Sequence, residues 1–252
     1  MRRYTQVGES ESEWRLTKAT PYAFTEHNTT EGTMVGASLR LYDYTASANC
    51  YKARLLLAQL GLAYERVPLD IFDADTLTPE FELINPARST PVLEVVPIGY
   101  LIESNAILAY LAEGSELYPS DPFQRAQVLR WLLFEQADVM PMMGGLRFRL
   151  LTGRLQPDDP EVARRMGGAA DALRVIEAQL ADRDFLVADR YTIADIAVYG
   201  YTHVAHEAAI DTQSYPAVEA WLRRVAAQPG HVNDLRPYPP NASLRVGRSI
   251  YG

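Results

Sequence analysis

LRLYDYTASANCYKARLLLAQLG, residues 39–61, is the stretch that decides the fold of this chain. Its first six residues alternate between apolar and other side chains, which predicts a β-strand. Small polar residues follow and predict a turn. After the turn, apolar residues recur at the spacing of one helix face until Gly61. The stretch therefore predicts a strand, a turn and a helix in direct succession. The recurring apolar residues are Ala53, Leu56, Leu57 and Leu60.

Strand and helix patterns continue in alternation after this unit. The second strand is followed by a short helix, then by a hairpin around Pro97-Ile98-Gly99, then by another helix. The order is βαβαββα, which predicts a small mixed sheet with helices on its faces, in the thioredoxin-like layout. The segments are AYERVPL (63–69), TPEFELI (78–84), TPVLEVV (90–96), YLI (100–102) and SNAILAYLA (104–112).

Helical periodicity replaces the strand patterns after EGSELYPSDP, residues 113–122. We expect a helix from about Phe123 to Met143, with Pro141 bending or ending it. A later helix opens at Thr192, whose hydroxyl accepts from free amides while Asp195 reaches back to form a capping box. The fold class is therefore α/β plus all-α. The predicted parts are an extension (1–38), a thioredoxin-like domain (39–114), an all-helical domain (122–232) and a tail (233–252) expected on the surface.

Bulk composition narrows the function classes. A net charge of −8 disfavours nucleic acid as a partner, because phosphate backbones are bound by clustered Lys and Arg. One cysteine excludes an internal disulfide, and the sequence contains neither an apolar run of membrane-spanning length nor a signal-peptide pattern. We therefore expect a cytoplasmic protein that binds no membrane.

The first 33 residues show neither the apolar period of a helix nor the alternation of a strand over any sustained length. Two interpretations stay open. The start codon is assigned too early and Met34 is the true start, or the segment is a functional extension.

The turn at residues 47–50 lies where a strand becomes a helix, so free N–H groups and the positive helix end favour a thiolate there. A dithiol enzyme needs cysteines at both ends of a C-x-x-C motif, and here Ser47 occupies the first position. We interpret Cys50 as a small core residue. Ser47 is either a plain N-cap or a donor to a thiolate that a bound cosubstrate supplies.

Several motifs together resemble the glutathione S-transferase family, in its bacterial serine type, over Leu39–Gly230. The turn reads S-x-N-C-x-K, and ESNAIL (103–108) is similar to the family's Glu-Ser-x-Ala-Ile signature. The other matching segments are NPARSTPVLE (85–94), WLLFEQ (131–136) and YTIADIAVY (191–199).

The resemblance implies that glutathione is a cosubstrate whose thiolate is stabilised by Ser47, with Asn49 as the second candidate. It implies that Pro91 follows a cis peptide bond and that the backbone of Val92 pairs with the cysteinyl part of glutathione. Ser104 is expected to hold the γ-glutamyl carboxylate, and Glu103 its ammonium group.

Two neighbouring positions depart from the family's pattern. Where the family commonly has Gly and then Lys or Gln before the cis-proline, this chain has Arg88 and Ser89. Arg88 is the candidate replacement for the contact with the glycyl end of the peptide. The alternative is that its side chain points to solvent.

The electrophile pocket is expected at the domain interface, with Met140, Met143 and Phe148 as candidates and core packing as the alternative explanation for each. No metal is expected. His203 and His206 lie three apart, but no third ligand stands at motif spacing, so we interpret them as a solvated helix face. DIFDAD (70–75) lacks the glycine and glutamate of a calcium loop and is interpreted as a polar loop.

The expected function is a glutathione transferase of detoxification type, in which the thiolate attacks a small hydrophobic electrophile. Alternatives are a glutathione-dependent disulfide or peroxide reductase and a non-catalytic glutathione-binding protein. The resemblance also implies a two-fold homodimer in which the thioredoxin-like domain of one chain packs on the helical domain of the other. The sequence hint of a second covered helix face is the run Trp131, Leu132, Leu133 and Phe134.

Overall fold

The structure, a computed structural model, describes residues 38–243 and 247–250. The expectations for the extension and for Met34 therefore lie outside the described residues, apart from Ser38.

The described residues form a mixed sheet of four strands in the order β2-β1-β3-β4. β1 is parallel to β2 and antiparallel to β3, and β3 and β4 form the predicted hairpin. The order of elements confirms the predicted βαβαββα unit. The strands are β1 (Ser38–Asp43), β2 (Glu65–Pro68), β3 (Val92–Val96) and β4 (Gly99–Ile102).

Helices cover this sheet and build the second half of the chain. In chain order they are α1 (Ala48–Gln59), α2 (Pro79–Ile84), α3 (Ser104–Leu111), α4 (Pro122–Phe134), a π-helical segment (Glu135–Gly144), α5 (Gly145–Leu151), α6 (Pro160–Leu180), α7 (Ile193–Thr202) and α8 (Pro216–Ala226). Short single-turn helices occur at Asp75–Leu77, Ala205–Ala208 and Pro240–Ala242.

α1 is buried on more sides than its one apolar stripe predicts, because it packs against both α3 and α7. Lys52 and Arg54, which project from the helix, are therefore fully buried and need partners. Lys52 pairs with Glu135 at 3.0 Å, and Arg54 pairs with Asp43 of β1 at 2.5 Å. These pairs fix α1 between the sheet and the helical half.

The helix predicted to bend or end at Pro141 continues through it. Residues 135–144 adopt the wider π geometry, and α5 follows without a break. A proline has no N–H to donate, and a π-helical stretch is one of the places where a helix absorbs such a missing bond. The carbonyl of Pro141 accepts from the Arg165 guanidinium of α6.

The capping box at the start of α7 is confirmed. The Thr192 hydroxyl accepts from the amide of Ala194 at 3.2 Å, and the Asp195 carboxylate accepts from the amide of Thr192 at 2.9 Å. Every residue of α7 is buried. A buried helix needs its first amides satisfied by protein groups, since water cannot reach them.

The described tail runs along the surface, where its side chains other than Ala242 are exposed or partly exposed, and it packs against the rest of the fold there. The Arg236 amide donates to the Thr45 carbonyl at 3.2 Å, and Arg248 donates to the Phe72 carbonyl at 2.8 Å. Ala242 is buried, and the Tyr238 ring lies against Tyr44 and Phe148. The physical reason is an apolar cluster that the tail covers. Its buried members include Ile71 and Phe72, so the stretch 70–75 is not simply a polar loop.

The interpretation of both histidines as a solvated helix face is wrong for His203. Its ring stacks between Tyr51 and Tyr199, and its Nδ1 lies 2.7 Å from the Tyr199 carbonyl oxygen. Burial lowers the pKa of His203 to about 4. His206 is exposed as expected. Within residues 38–243 and 247–250 there is no group of three or more His, Cys, Asp or Glu side chains that holds a metal ion.

No helix among the described residues is long and apolar enough to cross a membrane.

Candidate functional site

A cavity of about 410 Å³ opens where the turn between β1 and α1 faces the helical half. The turn contributes one wall, while the π-helical segment, α5, α6 and α7 contribute the others and Tyr238 of the tail closes one side. Its lining combines apolar, aromatic and cationic side chains. The described lining residues are Tyr44, Ser47, Ala48, Asn49, Ile71, Thr90, Met140, Pro141, Gly144, Gly145, Phe148, Arg149, Arg165, Tyr201 and Tyr238.

Ser47 is the N-cap of α1 and lines this cavity. Its Oγ accepts from the Cys50 amide at 3.3 Å. A serine hydroxyl accepts through its lone pairs and still carries one proton to donate. The two roles considered for Ser47 are therefore compatible, because the N-cap bond leaves the O–H available for an acceptor in the cavity.

Asn49 of α1 forms a hydrogen bond with the first residue of α3. It lines the cavity two residues after Ser47, and its Oδ1 accepts from the Ser104 hydroxyl at 3.2 Å. Ser104 is the first residue of α3 and is buried, while Glu103 is the exposed N-cap residue before it with φ of 71°. The structure thus brings together two of the sequence-predicted positions, Asn49 and Ser104, at two converging helix N-termini.

Pro91 and Val92 lie beside this point. The Thr90–Pro91 peptide bond is cis, which confirms that expectation, and Thr90 lines the cavity. Val92 is the first residue of β3, where its partners in register are Tyr42 of β1 and Ile102 of β4.

Arg88 and Ser89 point their side chains at neighbouring protein groups. The Arg88 guanidinium pairs with Glu82 of α2 at 2.6 Å and is partly exposed. Ser89 accepts from the Asn85 side-chain amide at 3.2 Å. The structure places the Arg88 side chain at α2, and its contact with the glycyl end of glutathione stays a prediction.

Cys50 has the environment of a core residue. It is fully buried, and its Sγ accepts from the Tyr44 amide at 3.4 Å. Burial raises the pKa of the thiol to about 11, so the thiol is protonated at neutral pH. This environment agrees with the interpretation of Cys50 as a packed side chain and gives no reactive thiolate.

The three candidates for the electrophile pocket separate into two groups. Met140 and Phe148 line the cavity, and Phe148 stacks on Phe72 with ring centroids 6.1 Å apart. Met143 is 1% exposed and lies in the main core, which is the alternative explanation considered for it.

A buried polar network behind the cavity positions α1. Lys52 donates to Asn105 Oδ1 at 3.3 Å and pairs with Glu135, and Asn105 in turn donates to Glu135 at 2.8 Å. Desolvation lowers the pKa of Lys52, and the facing carboxylate opposes that effect. The network connects α1, α3 and the start of the π-helical segment. Lys52, the last residue of the S-x-N-C-x-K motif, therefore belongs to a buried network behind the cavity.

Sequence reasoning missed the lining residues that come from distant segments. Tyr238 belongs to the tail, Arg165 to the middle of α6 and Tyr201 to the end of α7. Their sequence context carries no local signal, because only tertiary packing brings these segments to the turn. Arg149 had a weak signal, since it follows the candidate Phe148 directly.

Two protein-family models match the chain. The model described as "Glutathione S-transferase, N-terminal domain" matches residues 37–113, and the one described as "Glutathione S-transferase, C-terminal domain" matches residues 136–229. Glutathione S-transferase 3 of Zea mays is 31% identical over 222 residues, which cover 82% of this chain and 99% of the maize protein.

Solved structures are similar as well. A glutathione S-transferase from Pseudomonas fluorescens is 43% identical with a TM-score of 0.76, covering 79% of this chain and 99% of that chain. A glutathione transferase from Pseudomonas putida, solved with one glutathione disulfide bound per subunit, is 29% identical with a TM-score of 0.68. That match covers 77% of this chain and 88% of the other.

Proposed function

The chain belongs to the glutathione S-transferase family, and on that premise we propose that it transfers glutathione to a small electrophile. The observation that carries the proposal is the Ser47 hydroxyl, which lines the cavity at the N-terminus of α1. The helix N-terminus adds a positive field at the same point. Both groups favour a thiolate over a thiol there.

The proposed reaction proceeds in one substitution or addition step. Glutathione loses its thiol proton to solvent on binding, and Ser47 donates its hydrogen bond to the resulting sulfur anion. The sulfur then attacks the electrophilic carbon. A C–S bond forms, and for an aryl halide the carbon–halogen bond breaks with its electron pair going to the halide. Ser47 and the helix end need no change of position during this step, which is the advantage of preorganised electrostatic groups.

We assign the γ-glutamyl end of glutathione to the start of α3. Ser104 offers its backbone N–H at a positive helix end, and its hydroxyl proton, which goes to Asn49 Oδ1 at 3.2 Å in this structure, turns to the carboxylate when glutathione binds. Glu103 is exposed beside it and supplies a carboxylate for the ammonium group. Pro91 and Val92 border the cysteinyl portion in this arrangement, while Arg88 has a protein partner and is the weakest contact.

Replacing Ser104 with alanine is expected to raise the KM for glutathione about tenfold, the effect of losing one hydrogen bond to a charged group. Turnover should fall less, since this bond is made equally before and during the reaction. Steady-state kinetics with varied glutathione measure both constants. Ser115→Ala, in the turn that follows α3, is the control and should leave both unchanged. A fall in turnover without a rise in KM argues against carboxylate binding by Ser104.

A second candidate function is glutathione-dependent reduction of disulfides or peroxides. Asn49 lines the cavity beside Ser47, and the similar Pseudomonas putida structure holds glutathione disulfide. In this reaction a glutathione thiolate attacks a disulfide sulfur, a new S–S bond forms and the second sulfur leaves as a thiolate. The same thiolate site serves both reactions, so the second substrate decides between them.

A panel assay tests the proposal. Purified protein with glutathione is offered an aryl halide, a disulfide and a peroxide, and glutathione binding is measured in parallel by calorimetry. Conjugation of the aryl halide supports the transferase. Turnover of the disulfide or peroxide alone favours the reductase, and binding without any turnover favours the non-catalytic protein.

We further propose that the chain forms a two-fold homodimer. The structure separates the apolar run of α4 into two faces. Trp131 and Leu132 are buried in the core, whereas Leu129 and Leu133, one helical turn apart, are 50% and 61% exposed. An exposed pair of leucines on one helix face is the kind of surface that a second copy covers in a symmetric interface.

Light scattering at micromolar concentration is expected to give about twice the mass of one chain. Leu133→Lys should lower that mass toward the monomer, because it places a charge in the proposed interface. Val175→Lys changes an exposed valine of α6 and should not lower the mass. A monomer mass for the unmodified protein contradicts the proposed dimer.

A further inference from the structure

Two arginines line the same cavity as Ser47, and the proposed reaction does not use either of them. Arg149 lies on α5 and Arg165 on α6. Both guanidinium groups are partly or largely withdrawn from water, and the Arg165 side chain is 12% exposed. A cation that is withdrawn from water requires an anion or strong acceptors nearby.

The acidic groups near these arginines do not balance both. Glu161 pairs with Arg165 at 2.7 Å, and it also pairs with the exposed Arg164 at 2.6 Å. Arg149 has no ion pair with any residue of 38–243 or 247–250. Its Nη1 donates at 3.1 Å to the Gly145 carbonyl of its own helix. One unit of positive charge therefore faces the cavity without a protein counterion among the described residues.

The pKa of Arg149 agrees with this excess of positive charge. Burial and the neighbouring charge of Arg165 lower the pKa of Arg149, and Glu161, which is shared with two other arginines, opposes them only in part. A third guanidinium, that of Arg154, lies 4.9 Å from the centroid of Phe148, and burial and the charge of Arg149 both lower its pKa. Clustered like charges raise the energy of the empty site and are stabilised when an anion binds between them.

A hydrogen-bond donor in the same cavity also lacks an acceptor. Tyr44 is 3% exposed and lines the cavity, and its hydroxyl has no hydrogen-bond partner among the described residues. Burial raises its pKa well above the usual value, so the hydroxyl keeps its proton. An uncompensated cation and a protonated, unpaired hydroxyl both indicate a ligand that accepts hydrogen bonds.

We infer that the second substrate of the proposed transferase is an organic electrophile that carries one carboxylate, bound by Arg149. The inference rests on the proposed function and specifies its substrate class. One unpaired guanidinium matches one carboxylate, with which it forms two parallel hydrogen bonds. Met140 and Phe148 contact the apolar body of the electrophile, so the substrate is an aromatic or alkyl acid rather than a small inorganic anion.

The carboxylate takes no part in the bond changes. With 4-chloro-3-nitrobenzoate as the probe, the glutathione sulfur attacks the ring carbon that bears chlorine. The C–S bond forms, the C–Cl bond breaks, and chloride leaves with the electron pair. Arg149 fixes the ring so that this carbon faces the sulfur at Ser47, which makes Arg149 a substrate-binding residue on the far side of the cavity.

The test compares two glutathione conjugates that differ in one group. One is the conjugate of 4-chloro-3-nitrobenzoate, and the other is that of the corresponding benzamide, which has the same shape without the charge. Calorimetry on the full chain should show the acid conjugate binding about tenfold more tightly than the amide, the effect of one charge-assisted hydrogen-bonded contact. Arg149→Gln should remove the difference, and Arg149→Lys should keep part of it. Arg174→Gln, on the exposed face of α6, should keep all of it.

Each outcome separates this inference from the function on which it rests. Equal affinities of the two conjugates for the unmodified protein overturn the inference and leave the transferase intact. Failure of both to bind removes the glutathione site itself, and with it the inference. The comparison on the unmodified protein decides the matter even where the Arg149→Gln variant does not fold.

Glutathione disulfide provides the remaining arm, because its second half also carries carboxylates. If Arg149→Gln weakens binding of the disulfide but leaves the acid conjugate as tight as before, Arg149 serves a second glutathione. That result contradicts the inference of an acidic electrophile and favours the reductase.

Discussion

Turnover of the Ser47→Ala variant is expected to fall about 100-fold, the usual effect of removing one preorganised donor from a developing or existing anion. The KM for glutathione should change little, because the hydroxyl acts on the sulfur only after the thiol ionises. Steady-state kinetics with an aryl halide at fixed pH measure both constants. The variant also loses an N-cap, which costs about 1 kcal/mol of stability, so circular dichroism must confirm that it is folded at the assay temperature.

Two neighbouring variants control this result. Ser47→Thr keeps a hydroxyl and an N-cap, so it should retain part of the turnover. Cys50→Ala removes the buried thiol, which has no role in the proposed reaction, and should retain most of it. Unchanged turnover in Ser47→Ala contradicts the role of Ser47. Complete loss in a folded Cys50→Ala variant identifies the thiol as the nucleophile instead.

Asp195→Ala is expected to have the largest effect on stability, about 3–5 kcal/mol, as when one member of a buried polar network is removed. The carboxylate accepts from the Leu186 amide at 3.0 Å, the Thr192 amide at 2.9 Å and the Trp221 indole N–H at 2.9 Å. It also contacts the Thr192 hydroxyl at 3.3 Å. Alanine leaves these buried donors without an acceptor, and each one costs about 1–3 kcal/mol. Urea denaturation at neutral pH measures the loss.

The same residue has a pH signature. Burial raises the pKa of Asp195 to about 6, above its usual value of 3.8 in an unfolded chain. The folded state therefore binds this proton more tightly, and the associated stability is fully present below the unfolded pKa and is lost as pH rises through the folded one. The urea midpoint should show this component between about pH 4 and 6. Asp195→Ala should lack it.

Asp182→Ala, an exposed acidic residue, is the control for the stability measurement and should change the free energy of unfolding by less than about 0.5 kcal/mol. A loss below about 1 kcal/mol in Asp195→Ala contradicts the structural account of the capping box.

Much of the fold follows from signals that lie within a few residues of one another. The alternation in residues 39–44, the N-cap at Ser47 and the capping box at Thr192 each depend on local backbone geometry, and the structure agrees with all three. The hairpin at Pro97-Ile98-Gly99 is local in the same sense. Such features are readable from sequence because the interacting groups are neighbours in the chain.

The features that sequence analysis missed depend on contacts between distant segments. α1 has one apolar stripe, yet it packs against both α3 and α7, and its Lys52 and Arg54 are buried in ion pairs with Glu135 and Asp43. His203 is withdrawn from water by Tyr51 of α1 as well as by Tyr199 of its own helix. The tail reaches the site because it covers the apolar cluster around Ile71 and Phe72, which borders the cavity. The Tyr51–His203 contact and the tail contacts join segments that are far apart in the chain, so no local pattern predicts them.

The candidate site divides in the same way. Positions that bind glutathione in the proposal lie at helix starts and at one strand end, where local motifs identify them. The opposite wall is formed by α5, α6, α7 and the tail, and its Arg149 and Arg165 became candidates only when the cavity was known. The second substrate is therefore the part of the function that the sequence alone left most open.

The most direct test of the central claim is the pKa of the glutathione thiol when it is bound to this protein. Thiolate absorbs in the ultraviolet and the thiol does not, so a difference spectrum recorded against pH with saturating glutathione gives the value. The account predicts a pKa clearly below that of a free cysteine thiol, which is about 8.5, and a return toward that value in Ser47→Ala. A bound thiol that titrates like free glutathione in the unmodified protein would contradict the account.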